Sequence, residues 1–135
     1  MPRGKSLCYC INLRRAANAV TALYDGLLAP IGLTINQFSL LASLSTLGTS
    51  SISELAAYTG LDRTTLTRTL KPLLSQGYLQ DQSLPGARNR ALCLTQRGVR
   101  TLKEGLPLWR QAQSRLEEQL GQEGARWIYE VAEKL

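Results

Sequence analysis

The 135-residue chain reads as mainly α-helical with a small β-hairpin wing, a winged helix-turn-helix flanked by long N- and C-terminal helices. Three observations predict this. The run DRTTLTRTLKPLL, Asp62 to Leu74, separates leucines on one side from hydroxyls and cations on the other at about 100° per residue. A shorter helical run ends just before it at Gly60, and two β-type runs around a loop of Pro, Gly and Asn follow it. The two ends of the chain, 7–28 and 96–135, repeat apolar residues at three- and four-residue steps, with more apolar surface than one small core can absorb.

In chain order, Leu7 to Leu28 predicts the first long helix, with Leu13, Ala16, Ala17, Val20, Leu23, Tyr24 and Leu27 spread over an arc that implies burial on more than one side. If Ser6 caps it, Cys8 and Cys10 lie in its first turn. Pro30 and Gly32 end it. Thr34-Ile35-Asn36-Gln37 matches a capping box, and the helix behind it buries Phe38, Leu40, Leu41, Leu44 and Leu47. SISELAAYTG, Ser51 to Gly60, predicts a short helix capped by Ser53, with Leu55 and Ala56 inward; Ser51-Ile52 also offers a short strand beside the wing.

Asp62 caps the next helix and Gly77 suits its left-handed stop. Leu66, Leu70, Leu73 and Leu74 face inward, while Thr64, Thr65, Arg68 and Lys71 form an opposite face without a carboxylate. Such a face matches phosphates and base edges. Pro72 removes one backbone bond, so a bend or tightening near Arg68 is expected. Tyr78 to Asp81 and Ala91 to Thr95 predict the two strands, joined by the basic turn Leu84-Pro85-Gly86-Ala87-Arg88-Asn89-Arg90. Thr95 then caps Gln96 to Leu120, kinked at Pro107 and stopped by Gly121. The last segment, Glu123 to Leu135, sets Trp127, Val131 and Leu135 along one side with Ile128 nearby. A helix of about a dozen residues is marginal alone, and a second subunit is the expected surface for it.

Charge distribution says more than the total. Of a net charge of +6, residues 63–103 carry +7, because eight Lys and Arg face Asp81 alone, and the remainder sums to −1. A cluster so placed attracts a polyanion and releases its counterions.

The succession SISELAAYTGLDRTTLTRTLKPLLSQGYL, an arginine-bearing wing and LTQRG resembles the MarR family of winged helix-turn-helix transcription regulators, strongly over 51–98 and plausibly along almost the whole chain. The resemblance implies a single domain over 1–135. In it, helices about 6–29 and 96–135 interlock two copies, and winged helix-turn-helices about 34–95 read a pseudo-palindromic double-stranded operator. By that likeness Thr64, Thr65, Arg68 and Lys71, with Arg63 and Thr67 beside them, face the major groove. Arg88 or Arg90 reaches the flanking minor groove, and Asp81 holds a wing arginine, Arg90. The short basic wing lacks the family's usual second acidic residue, and Pro72 is a further departure.

Enzymatic chemistry has little to stand on. The chain has no histidine, so no His-based acid/base pair, triad or common zinc site can be built, and no phosphate-cradling glycine loop appears. No cofactor is expected. No apolar run approaches the roughly 20 residues of a membrane span, and residues 1–6 are too short and polar for a signal peptide, which points to the cytoplasm. Three cysteines argue against a disulfide framework. Cys8 and Cys10, near a helix N-terminus with Arg14 a turn further on, and Cys93 in the wing are candidate oxidant or thiophilic-metal sensors; as small apolar residues they could equally just pack. The reading is a homodimeric, DNA-binding repressor released by a small ligand or thiol modification. The alternative is a winged-helix module that binds protein and not DNA.

Overall fold

Local capping sets most element boundaries. The computed structural model describes residue 4 and residues 6–135, so most of the segment weighed as a signal peptide lies outside the described residues. Helix α1 (Tyr9–Leu28) leads through a 3₁₀ turn (Ala29–Ile31) into α2 (Ile35–Leu47), α3 (Ile52–Thr59) and α4 (Arg63–Ser75). Strands β1 (Leu79–Asp81) and β2 (Leu92–Leu94) and the long α5 (Gln96–Lys134) complete the chain.

The N-cap of α1 is Cys8, whose side chain makes no capping bond. Ser6 sits two residues earlier than a cap and accepts instead from the Cys8 N–H at 3.1 Å, so only Cys10 lies inside the first turn. The capping box of α2 forms: Thr34 Oγ1 accepts from the Gln37 N–H at 3.2 Å, and Gln37 Oε1 accepts from the Thr34 N–H at 3.0 Å. Asp25 of α1 accepts from the Ile35 N–H at 2.7 Å, which ties the two helices together. For α3 the cap is Ser51 and not Ser53, because Ser51 Oγ reaches the Glu54 N–H at 3.1 Å. Ser51 being the cap, the expected strand moves back one residue: Ser50 bridges Leu92 with N–H to O distances of 2.9 and 2.8 Å. The hairpin is antiparallel, Leu79 opposite Leu94 and Asp81 opposite Leu92.

The main core lies inside the helix-turn-helix and the base of the wing. Leu40, Leu41 and Leu44 of α2, Leu55 of α3, Leu66, Leu70 and Leu73 of α4 and Leu79 and Leu92 of the strands are all buried there. Leu47, expected inside, is at the exposed end of α2. Helix α5 crosses α1 and α2 closely. A Cβ on Gly105 would meet Phe38 and stand 2.8 Å from Ile31 Cδ1, so only glycine allows that approach. The Tyr24 hydroxyl of α1 donates to Gln113 Oε1 of α5.

Pro107 does not break α5. It stands on an exposed side, where the carbonyl it leaves free can meet water, and the dihedral angles stay helical through it. The break falls at Gly121 (φ 72°, ψ 176°), a conformation essentially reserved for glycine. Among the described residues no side chain after Ala112 is buried, and α1 buries only Tyr24 and Leu28. Leu7, Tyr9, Ile11 and Leu13 at one end, and Trp127, Ile128 and Tyr129 at the other, are exposed.

Candidate nucleic-acid interface

Helix α4 is fixed at both ends by its own sequence. Asp62 accepts from the Thr65 N–H at 2.8 Å and from the Thr65 hydroxyl at 2.9 Å, and the backbone bond chiefly holds its carboxyl below the usual carboxylate range. At the other end the N–H groups of Gly77 and Tyr78 return to the carbonyls of Leu74 and Leu73 at 3.2 and 3.0 Å. With Gly77 at φ 81° this is a Schellman stop. The helix passes Pro72 without leaving helical geometry.

The faces divide much as the periodicity requires. Leu66, Leu70 and Leu73 are buried, whereas Leu74 is 37 % exposed because it lies about 80° round the helix from Leu66. Thr64, Thr67, Arg68 and Lys71 are exposed within an arc of about 100°, with Arg63 at its edge. Thr65 stands at the opposite edge, half-buried, and its hydroxyl is engaged with Asp62.

In the wing, Asp81 organises the loop. One carboxylate oxygen accepts from the N–H groups of Ser83 and Ala91 at 2.9 and 3.1 Å, and the other accepts from Arg90 at 2.9 Å. Those bonds, the one from Ser83 first, depress the Asp81 carboxyl far below its usual range. Beyond it, the Ala87 N–H donates to the Leu84 carbonyl at 2.9 Å around Pro85 and Gly86 (φ 81°), the turn type that needs glycine third. Arg90 remains 66 % exposed although paired, and its pair with Asp81 is the one ion pair among the described residues. Arg88 is exposed and outside that pair.

Charge counting missed one thing. Arg97, grouped with the polyanion-facing cations, is exposed but tied to the fold: it donates to the Gln76 carbonyl at 2.7 Å and its guanidinium lies 4.5 Å over the Tyr78 ring. No periodicity or charge signal separates it from Arg100.

Comparison with known proteins decides the class of this site. The sequence profile of the MarR family matches residues 33–88, the span from α2 to the wing tip. The structure of the M. tuberculosis transcriptional regulator MosR in complex with DNA is 38 % identical, covers 93 % of this chain and 92 % of its own, and superposes with a TM-score of 0.82. The chain belongs to the MarR family. The transcriptional repressor CouR bound to p-coumaroyl-CoA is 26 % identical, with 93 % and 88 % coverage and a TM-score of 0.82. The Bacillus subtilis HTH-type transcriptional regulator YwoH is 27 % identical over 92 residues, 68 % of this chain and 67 % of that one. A MarR-family chain is a DNA-binding transcription regulator and not an enzyme, which decides between nucleic acid and a protein-only partner.

The remaining candidate residues of this MarR-family chain are its cysteines. Cys8 and Cys10 are exposed near the start of α1, and Cys93 is half-buried opposite Gln80 in the wing. Among the described residues no three His, Cys, Asp or Glu are gathered as a metal site, and no single helix is long and apolar enough to cross a membrane.

Proposed function

We propose that the protein is a homodimeric repressor that lays α4 of each subunit in successive major grooves of a pseudo-palindromic operator. The observation that carries this is the exposed hydroxyl-and-cation arc of Thr64, Thr67, Arg68 and Lys71 beside a wing anchored by Asp81. Arg68 and Lys71 suit base edges and phosphates, Arg63 the flanking backbone, and Arg88 or Arg90 the narrow groove beside the site, while Thr65, whose N–H and hydroxyl both serve Asp62, holds the start of the helix. The dimer is built from α1 and α5, whose exposed Ile11, Leu13, Trp127 and Ile128 are apolar surface in want of a partner. The DNA-bound MosR structure supports the docking.

Release follows a small ligand or a thiol change. Ligand control is supported by CouR, solved with p-coumaroyl-CoA. In a single chain the hollows along α5 are open to solvent, one of about 370 Å³ beside Leu94 and Val99, so a closed chamber calls for the second subunit. Thiol control is supported by the exposure of Cys8 and Cys10 at the start of a helix that the dimer would bury. Footprinting on the gene's own upstream region, with transcription in vitro, tests the whole reading. The expected result is a two-half-site footprint and lowered transcription. Binding that raised transcription would make the protein an activator, and a footprint of one half-site would remove the dimer. Repeating the assay with peroxide or a thiophilic metal on wild type and on Cys8→Ser/Cys10→Ser tests thiol control: a response that the double variant abolishes belongs to Cys8 or Cys10, one that it keeps belongs to Cys93, and no response in wild type leaves release to a ligand.

A further inference from the structure

Resting on that DNA-binding reading, we infer that Arg97 is a positioning residue which fastens the C-terminal end of the recognition helix to α5 and makes no phosphate contact. Three observations converge on the junction. The last carbonyls of a helix have no partner within it and carry its negative dipole end. Arg97 supplies one: its Nη1 donates to the carbonyl of Gln76, the C-cap of α4, at 2.7 Å. Its Nη2 donates to the Tyr78 hydroxyl at 3.3 Å, and the guanidinium plane lies over the buried Tyr78 ring at 4.5 Å. Cation–π and hydrogen-bonding contacts together hold the planar group in one place, which an ammonium on the same stem cannot reproduce.

The neighbours of Arg97 close the same joint. Thr95 Oγ1 donates to the Gly77 carbonyl at 2.6 Å while accepting from the Gly98 N–H at 3.1 Å, and a Cβ on Gly98 would run into the Tyr78 carbonyl oxygen. The first turn of α5 is thus stitched to the end of α4. Elsewhere α5 packs chiefly on α1 and on α2, which itself packs on α4, so this joint is the direct tie between α5 and the end of the DNA-reading helix. The guanidinium keeps its charge, but held on a carbonyl and an aromatic face it would have to give up these contacts to bind a phosphate directly.

The test uses the full-length protein and two duplexes of equal length: one selected by wild type from a randomised pool, and a scrambled control. Variants are Arg97→Met, Arg97→Lys and, as comparator, Arg88→Ala. Arg97→Met should bind the selected duplex about tenfold more weakly, as for a lesion in a coupling joint. Its affinity for the scrambled duplex and its salt slope should stay at wild-type values, whereas loss of the wing cation Arg88 from the DNA surface lowers the slope by about 1. Arg97→Lys should fall with Arg97→Met, since charge alone does not make the joint. If Arg97→Met lowers the slope and weakens both duplexes alike, or if Arg97→Lys binds as wild type, Arg97 is a phosphate ligand and the assignment is wrong. A lowered melting temperature with unchanged affinity in the folded protein reduces Arg97 to a stability contact and also overturns it. Should Arg97→Met fail to fold, Arg97→Lys decides alone. If wild type enriches no sequence from the pool, the DNA reading itself has failed and takes the assignment with it.

Discussion

The winged helix-turn-helix and the two terminal helices solve the same problem differently. Between Leu33 and Leu92 the apolar side chains close on one another within a single chain, and Leu41, Leu55 and Leu66 are wholly buried. Along α1 and the far part of α5 the same kind of residue is left outside, Trp127 at 52 % and Ile128 at 40 % exposed. One region is finished by its own sequence. The other leaves apolar residues outside, and in the proposed dimer a second copy covers them. The contrast predicts two kinds of mutant: those whose damage is independent of protein concentration, and those whose damage is a loss of association.

The largest effect should come from Ile128→Asp. A charge on that face would have to be desolvated on association, and in an obligate dimer folding and assembly fail together. Light scattering at micromolar concentration should find wild type dimeric and the variant monomeric or unfolded, with operator binding lost. A well-folded wild-type monomer at that concentration would break the comparison at once.

Leu41→Ala comes next. It empties a buried site among α2, α3 and α4, and should cost about 2–5 kcal/mol. Thermal unfolding at several protein concentrations checks it. The loss should be the same at all of them, unlike that of Ile128→Asp, and a concentration-dependent loss would mean that the winged region also leans on the partner.

Arg68→Ala should leave both regions folded and remove a contact to a base edge, at about 1–3 kcal/mol, with relaxed sequence preference. Fluorescence anisotropy against duplexes of varied sequence measures it. Unchanged binding would move the reading side chains elsewhere on the arc, to Thr64, Thr67 or Lys71.

How much of this was legible in the sequence depends on whether the signal was local. The capping box at Thr34 and Gln37, the Asp62 cap and the Gly77 stop were readable because each is decided by neighbours along the chain. Ser53 was the expected cap for α3, and the helix starts earlier, at Ser51, where the bridge from Ser50 to Leu92, distant in sequence, ends the extended chain. A kink was expected at Pro107 and a stop at Gly121, and the helical dihedral angles are lost only at Gly121. Proline's cost was avoidable on an exposed side, whereas the glycine adopts dihedral angles closed to other residues. Arg97 was illegible as anything but a charge, since its partners Gln76 and Tyr78 lie about twenty residues away in sequence and are brought beside it by the hairpin.

The smallest expected effect isolates the wing. Its Asp81 carboxyl is depressed in the folded protein by the N–H groups of Ser83 and Ala91 and by Arg90, so its contribution to wing order is fully present above the unfolded carboxyl pKa of about 3.9. That contribution fades as the pH falls from there toward the lower folded value. Asp81→Asn should lose this acid-side dependence, free Arg90, and weaken operator binding modestly at neutral pH while leaving the dimer and the melting temperature nearly unchanged. Amide chemical shifts of Ser83 and Ala91 through an acid titration read the wing directly. In wild type they should hold at pH 4 and move only below it, and in Asp81→Asn they should start from the altered position and stay there. Wild-type amides that titrate with an ordinary carboxyl, or an Asn variant that binds DNA as wild type does, would show that the wing's order comes from the Pro85-Gly86 turn rather than from Asp81. The self-contained region would then end at the strands.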